Sequence, residues 1–269
     1  MPTQQINVGV FGGSGFYSLL EHAHEAAFET PYGSPSAPVV VGEISGRPVG
    51  FMPRHGRHHE FPPHKINYRA NLWAMKHLGA TDVILPCAAG SLQRAVKPGD
   101  FVFCDQVVDR TNGRADTFFD GPETTHVSFA EPYDAEMRAV ANDAAAEVGI
   151  TAHERGTIVV IQGPRFSTKA ESRWFSSMGW EVINMTQYPE VILARELEMA
   201  ALNISLITDY DVGLEDDPDI EPVSNAQVLE VFNANNAKLR ELLFAIIPKL
   251  PLSPERPALH ALEGARIAP

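Results

Sequence analysis

Two aspartates in "ITDYD", Asp209 and Asp211, stand two residues apart at the end of an apolar run. If the chain stays extended there, both carboxylates fall on one face of a strand. A buried carboxyl beside another negative group keeps its proton towards neutral pH, which suits a general acid. The plainer alternative is an exposed acidic loop that continues into "LEDDPDIE". A second cluster, "PRHGRHHEFPPHKINYRANLWA", gathers Arg54, His55, Arg57, His58, His59, His64, Lys65 and Arg69. Metal binding would want neutral histidines with carboxylate or thiolate partners at ordered spacing, and the crowding by Arg and Lys opposes it. Arg54 beside His55, flanked by Pro53 and Gly56, is better suited to gripping an oxyanion with paired planar donors and one more from the imidazole.

A third feature is "INVGVFGGSGF", a strand-like run that ends in Gly12-Gly13-Ser14-Gly15. No Gly-Lys-Ser/Thr ending makes it a Walker loop. The dinucleotide pattern fails at its third glycine, and no acidic strand end follows at the expected distance. The nucleophile elbow fails because Phe16 stands where its last glycine belongs. What survives is a set of freed backbone N–H groups plus the Ser14 hydroxyl, fit for a free oxyanion. A tight turn that binds nothing is the competing reading.

Such groups need a scaffold. "INVGVF", "VVVGEI", "PVGFM", "DVILPC", "DFVFCDQVV", "GTIVVIQ", "EVINM" and "LNISLITDY" read as strands. Between them lie helical patterns: one capped by Asn67 and ended by Gly79, one capped by Asp134 and ended by Gly149, and one with Pro189 in its first turn. The last begins at Ser224 with capping-box spacing to Gln227, and its apolar face includes Val231, Phe232, Leu239, Leu242, Leu243 and Ile246. Alternating strands and helices predict an α/β domain with its sheet covered on both faces. Nothing divides residues 1–250, so one domain is expected. Residues 251–269, rich in proline, read as a surface tail or partner-contacting extension.

The 269 residues are 44% hydrophobic and carry a net charge of −13. That balance disfavours nucleic acid and anionic membrane surfaces as partners. Cys87 and Cys104 are too few for a disulfide framework and lack metal-ligand spacing, which fits a reducing cytoplasm. No leader pattern or membrane-length apolar run is present in the sequence.

"GGSGF", "PRHGRHHEFPPHKINYRAN", "CAAGSL", "PGDFVFCDQVVDRT", "QGPRFSTKAES", "NMTQYPE" and "TDYD" occur in that order. Together they resemble the trimeric purine nucleoside phosphorylase family, most closely its 5′-methylthioadenosine phosphorylase branch, over roughly residues 7–248. The resemblance implies a nucleoside phosphorylase-like fold with a central mixed β-sheet flanked by helices, and a homotrimer. It implies inorganic phosphate as co-substrate, with no cofactor and no metal. It places phosphate against Ser14, Arg54, His55 and Thr186, and against Cys87 and Ala88 where the family commonly has a threonine hydroxyl. A thiol donates poorly, so that contact would weaken or pass to backbone N–H groups. It sets Phe166 against base or ribose, Met185 under the ribose, and His126 at the 5′ end of a neighbouring subunit's substrate. Asp209 becomes the partner and acid for purine N7, and Asp211 a supporting base contact. Val228 and Leu229 line the 5′ region, where Asn225 replaces the usual aliphatic residue and could receive a 5′-hydroxyl. Adenosine, methylthioinosine and inosine are therefore alternative substrates. A water-using nucleosidase, a dinucleotide-binding oxidoreductase and a non-catalytic nucleotide module are the rival functions.

Overall fold

The computed structural model describes residues 6–12, 20–27, 29–213, 217, 220, 222–250 and 253–267. Ser14 lies outside the described residues. The strands are β1 Val8–Gly12, β2 Glu21–Ala26, β3 Val39–Ile44, β4 Arg47–Pro53, β5 Asp82–Ser91 and β6 Phe101–Val102. They continue as β7 Gln106–Arg110, β8 Ala152–His153, β9 Thr157–Ile161, β10 Val182–Asn184 and β11 Ala200–Asp209. The helices are α1 Tyr68–His77, α2 Ala135–Glu147, α3 Lys169–Ser177, α4 Gln187–Glu196 and α5 Asn225–Ile246. Among the described residues the strands form one mixed sheet, in the order β2-β3-β4-β1-β5-β10-β9-β7, with β11 on the other edge of β5 and β6 and β8 beyond it.

Strand β5 is the spine. Along one edge it pairs with β11 from Asp82 to Gly90. Along the other it pairs with β1 only as far as Ile84, and with β10 only from Gly90. Between those points β1 leaves β5 and stays with β4 alone. The sheet therefore splits beside residues 85–89, at the carboxyl ends of the parallel strands, which is where open α/β sheets bind ligands.

Period-two alternation places side chains on opposite faces. Val83, Leu85, Cys87 and Ala89 of β5 join α1 and α4 in one apolar cluster, which holds Leu72, Met75, Val191 and Leu193. Val8, Val10, Ile84, Leu202, Ile204 and Leu206 join α2 and α5 in the other, around Met137, Ala141, Leu239, Leu242, Leu243 and Ile246. The caps fall where the sequence set them. Asn67 Oδ1 accepts from the Ala70 N–H, and Gly79 follows α1 at φ +101°. Asp134 accepts from the Met137 N–H and Ser224 from the Gln227 N–H. One expected strand, "DFVFCDQVV", is instead two. Phe101–Val102 pairs with β11 and Gln106–Arg110 with β9, because the sheet branches between them.

The segment 253–267 carries a buried anchor. Arg256 Nη1 lies 2.7 Å from Asp82 Oδ1 and 3.6 Å from Asp134 Oδ2, and Ala258 is buried in the cluster on the α5 face. Further on, the Ile267 N–H donates to Thr124 O and the His126 N–H to Ala265 O. Among the described residues no helix is long and apolar enough to cross a membrane.

Candidate active site

The split in the sheet is where the basic cluster turns inward, and only part of it does. Arg57 pairs with Glu25 at the surface and Arg69 with Asp120. Arg54, at the end of β4, is 5% exposed. Its Nε donates to Glu190 Oε1 at 2.6 Å and its Nη1 to Pro86 O at 2.7 Å, while Nη2 is buried without a partner. Burial works against this charge and the Glu190 carboxylate more than offsets it, so the guanidinium pKa is raised. Gly56 makes the turn possible. It sits at φ +81°, and a Cβ there would stand 2.3 Å from the Glu60 carboxylate.

His55 Nδ1 lies 2.9 Å from Phe61 O. A carbonyl only accepts, so Nδ1 carries the proton. Burial pushes the imidazole pKa down to about 4; Arg54 and His59 push the same way, against the Phe61 carbonyl. The ring is neutral near pH 7 and Nε2 presents a lone pair. The expected extra donor is thus an acceptor, fit for the hydroxyl of a monoprotonated phosphate.

Thr186 is buried at the head of α4, where its side chain makes no capping bond. Asn184 Nδ2 lies 3.4 Å from Thr186 Oγ1. With that donor on its oxygen, the threonine proton is left to point elsewhere. Cys87 is buried, with Sγ 3.5 Å from Ser205 Oγ and 3.7 Å from Asn203 Nδ2. Burial raises its thiol pKa, so it is a neutral filler turned towards β11. Ala88 beside it is half-buried. Gln187, a neighbour of Thr186, donates to Leu85 O and accepts from Tyr133. It belongs to the core.

Further along β5, on its other edge, Asp209 closes β11. Its Oδ2 accepts from Thr208 Oγ1 at 2.7 Å and its Oδ1 from the Asp211 N–H at 2.8 Å. Burial raises its pKa against these two bonds. The extended pair expected over 208–211 is corrected here. The strand stops at Asp209, and Asp211 sits in a turn at φ +49°, a conformation aspartate tolerates better than most residues. The turn, rather than the pleat, brings the two together. Burial lifts the Asp211 pKa to about 6; the Ser172 and Ser167 hydroxyls oppose the rise, and the Asp209 charge adds to it.

Gly90 marks the closest approach. The β5–β11 register shifts between Ile207 and Asp209, and a Cβ on Gly90 would stand 2.9 Å from Asp209 Oδ1 and 3.0 Å from Ile183 Cγ2. Gly90→Ala is expected to displace the carboxylate and lower kcat/KM by about 10- to 100-fold. It should also cost about 1–3 kcal/mol of stability through overpacking. Steady-state kinetics and a thermal melt check both.

The remaining expected residues lie on separate elements. Met185 follows β10, its sulfur packed under Gly163, where a Cβ would stand 2.7 Å away. Phe166 is 38% exposed in the loop before α3. Thr168 and Glu171 form a capping box that starts that helix, and Arg165 pairs with Glu171. The entry to α5 is tied to the acidic turn by the Val223 N–H donating to Asp211 O. Val228 is half-buried in its first turns and Leu229 exposed; Asn225 opens the helix. His126 lies on an exposed loop held by the C-terminal segment.

Arg54 touches β5 at Pro86 and Asp209 faces it at Gly90, a separation of about 13 Å at the rise of a strand. Sequence reasoning missed Glu190, Asn184, Thr208, Gly90 and Ser172. Glu190 alone left a signal: a carboxylate running directly into the apolar "VIL" needs a buried counter-charge.

A buried guanidinium and two buried carboxyls set along one strand of a branched α/β sheet suit an enzyme. The chain matches the phosphorylase superfamily over residues 7–248 and belongs to that family. It is 48% identical to S-methyl-5′-thioadenosine phosphorylase of Thermofilum pendens, over 98% of this chain and 100% of that one. It is also 48% identical to a purine nucleoside phosphorylase of Streptomyces coelicolor, over 96% and 94%. Among solved structures, a methylthioadenosine phosphorylase from an antarctic soil metagenomic library superposes with a TM-score of 0.92 at 35% identity, covering 99% of this chain and 94% of that chain. Methylthioadenosine phosphorylase from Schistosoma mansoni in complex with adenine superposes with a TM-score of 0.85 at 35% identity, over 91% and 92%.

Proposed function

We propose that the protein is a pentosyltransferase that cleaves the N-glycosidic bond of a 6-aminopurine nucleoside with phosphate. The favoured reaction converts 5′-methylthioadenosine and phosphate to adenine and 5-methylthioribose 1-phosphate. The observation that carries this reading is that Arg54 meets β5 at Pro86 with a buried, unpartnered guanidinium N–H, while two carboxyls of raised pKa stand beside Gly90 of the same strand. The names of the relatives agree with it.

Arg54, Thr186, Ser14 and the backbone at Cys87 and Ala88 hold the phosphate, and His55 accepts its hydroxyl. Met185 and Phe166 bracket the ribose and base. As the C1′–N9 bond lengthens, positive charge builds on the ribosyl ring. A phosphate oxygen beneath C1′ stabilises that charge and then bonds to the carbon with inversion. The electrons of the broken bond enter the purine, and Asp209 delivers its proton to N7. Asp211 accepts from the exocyclic amino group. Binding sets the nucleophile in place, so no covalent enzyme intermediate is needed.

Purine nucleoside phosphorylase activity on adenosine or inosine is the second reading. It is favoured by the Streptomyces relative and by Asn225 at the mouth of α5. A homotrimer in the cytoplasm, with His126 lent between subunits, completes the proposal. The test is a panel of methylthioadenosine, adenosine, methylthioinosine and inosine, each with and without phosphate. Methylthioadenosine is expected to turn over fastest and only with phosphate. Equal turnover in phosphate-free buffer rejects phosphorolysis in favour of hydrolysis.

A further inference from the structure

The geometry points to Glu190 as the residue that positions the anion grip: by holding Arg54 Nε, it turns the Nη2 edge of the guanidinium towards the phosphate. This rests on the phosphate reading above and adds to it a residue that would touch neither phosphate nor nucleoside. Glu190 is fully buried in the first turn of α4. Its Oε1 accepts from Arg54 Nε at 2.6 Å, and its Oε2 has no hydrogen-bond partner. Arg54 is fixed a second time by Pro86 O. A guanidinium is a rigid planar fork, so two anchored N–H groups determine where the third nitrogen points. The one left over, Nη2, is buried and unpartnered. The carboxylate also balances a charge that would otherwise stand alone in the interior whenever no anion is bound. Because Glu190 and Thr186 share the start of α4, one helix end carries both the support for Arg54 and a hydroxyl of the same grip.

Two variants of the full-length protein separate reach from charge. Glu190→Asp keeps the charge and withdraws the acceptor from Nε by one methylene. Glu190→Gln keeps the reach and an acceptor oxygen but loses the charge. Kinetics are measured with phosphate varied at saturating methylthioadenosine, and the reverse. Glu190→Asp is expected to raise the KM for phosphate about tenfold or more, the scale of a lost charge-assisted hydrogen bond, with the KM for nucleoside changed less than twofold. Glu190→Gln is expected to raise the phosphate KM by no more than about threefold. Phosphate should raise its melting temperature at least as much as that of the wild type. An unchanged phosphate KM in Glu190→Asp overturns the inference, as does an equal rise of both KM values. Should Glu190→Asp not fold, loss of the phosphate-induced melting shift in Glu190→Gln overturns it equally. Phosphate-independent turnover by the wild-type protein would defeat the phosphorolysis reading itself, and is seen before any variant is made.

Discussion

Asp209→Ala is expected to lose at least about 100-fold in kcat/KM for methylthioadenosine, the usual scale for removing a general acid. The leaving purine is a poor anion unless N7 is protonated as C1′–N9 breaks, and Asp209 is the acid proposed to reach that atom. Its surroundings suit the task. Burial raises the carboxyl pKa, while Thr208 and the Asp211 N–H hold both oxygens and limit the rise. The raised pKa favours a proton on this carboxyl, and the conjugate base is already solvated by the protein. Activity should therefore fall on the alkaline side as the acid is lost, and that limb should vanish from the pH profile of the alanine variant. Phosphate affinity, read from the melting shift, should survive, because Arg54 is anchored elsewhere. Near-normal turnover would remove Asp209 from the mechanism.

Asp211→Asn is expected to act on selectivity and stability together. An ionised carboxylate only accepts hydrogen bonds, which matches a 6-amino group; an amide also donates, which matches a 6-oxo group. The ratio of kcat/KM for adenine over hypoxanthine nucleosides should drop by at least about tenfold, since unpaired buried polar groups are strongly discriminated against. The carboxyl ionises at about 6 in the folded chain against an ordinary 3.8. Folding therefore takes up a proton between those values. The stabilisation from this group is complete below the lower one and is lost as pH rises through the upper one. At pH 7.5 the native state carries a buried charge costing about 3 kcal/mol. The asparagine variant lacks that charge and should be more stable by about that amount at pH 7.5, with no gain near pH 4. Melting curves at the two pH values decide this, and identical selectivity in both proteins would remove Asp211 from base recognition.

How much of this was legible beforehand depended on the range of the interaction. Alternating apolar strands, side-chain caps at Asn67, Asp134 and Ser224, and the glycine after α1 are local, and the sequence announced them. Strand β2 was silent because its residues from Glu21 to Glu25 are exposed, so no periodic apolar pattern marks it. The basic cluster was visible as composition, yet which of its members face inward was decided by distant partners: Glu25 and Asp120 draw Arg57 and Arg69 outward, while Glu190 and Pro86 draw Arg54 in. The aspartates were legible as a pair but their geometry was not, because it depends on one left-handed residue and a register shift beside Gly90. Arg256 was missed because a buried arginine in a proline-rich stretch looks like surface until Asp82 and Asp134 arrive from elsewhere.

The single strand that passes its edge from β1 to β10 makes the protein a gauge of length. A pyrimidine nucleoside joined to the same sugar would seat its pentose correctly and still offer no ring nitrogen where the acid waits. Discrimination between the two base classes would then rest on where the Arg54 and Asp209 side chains meet that strand.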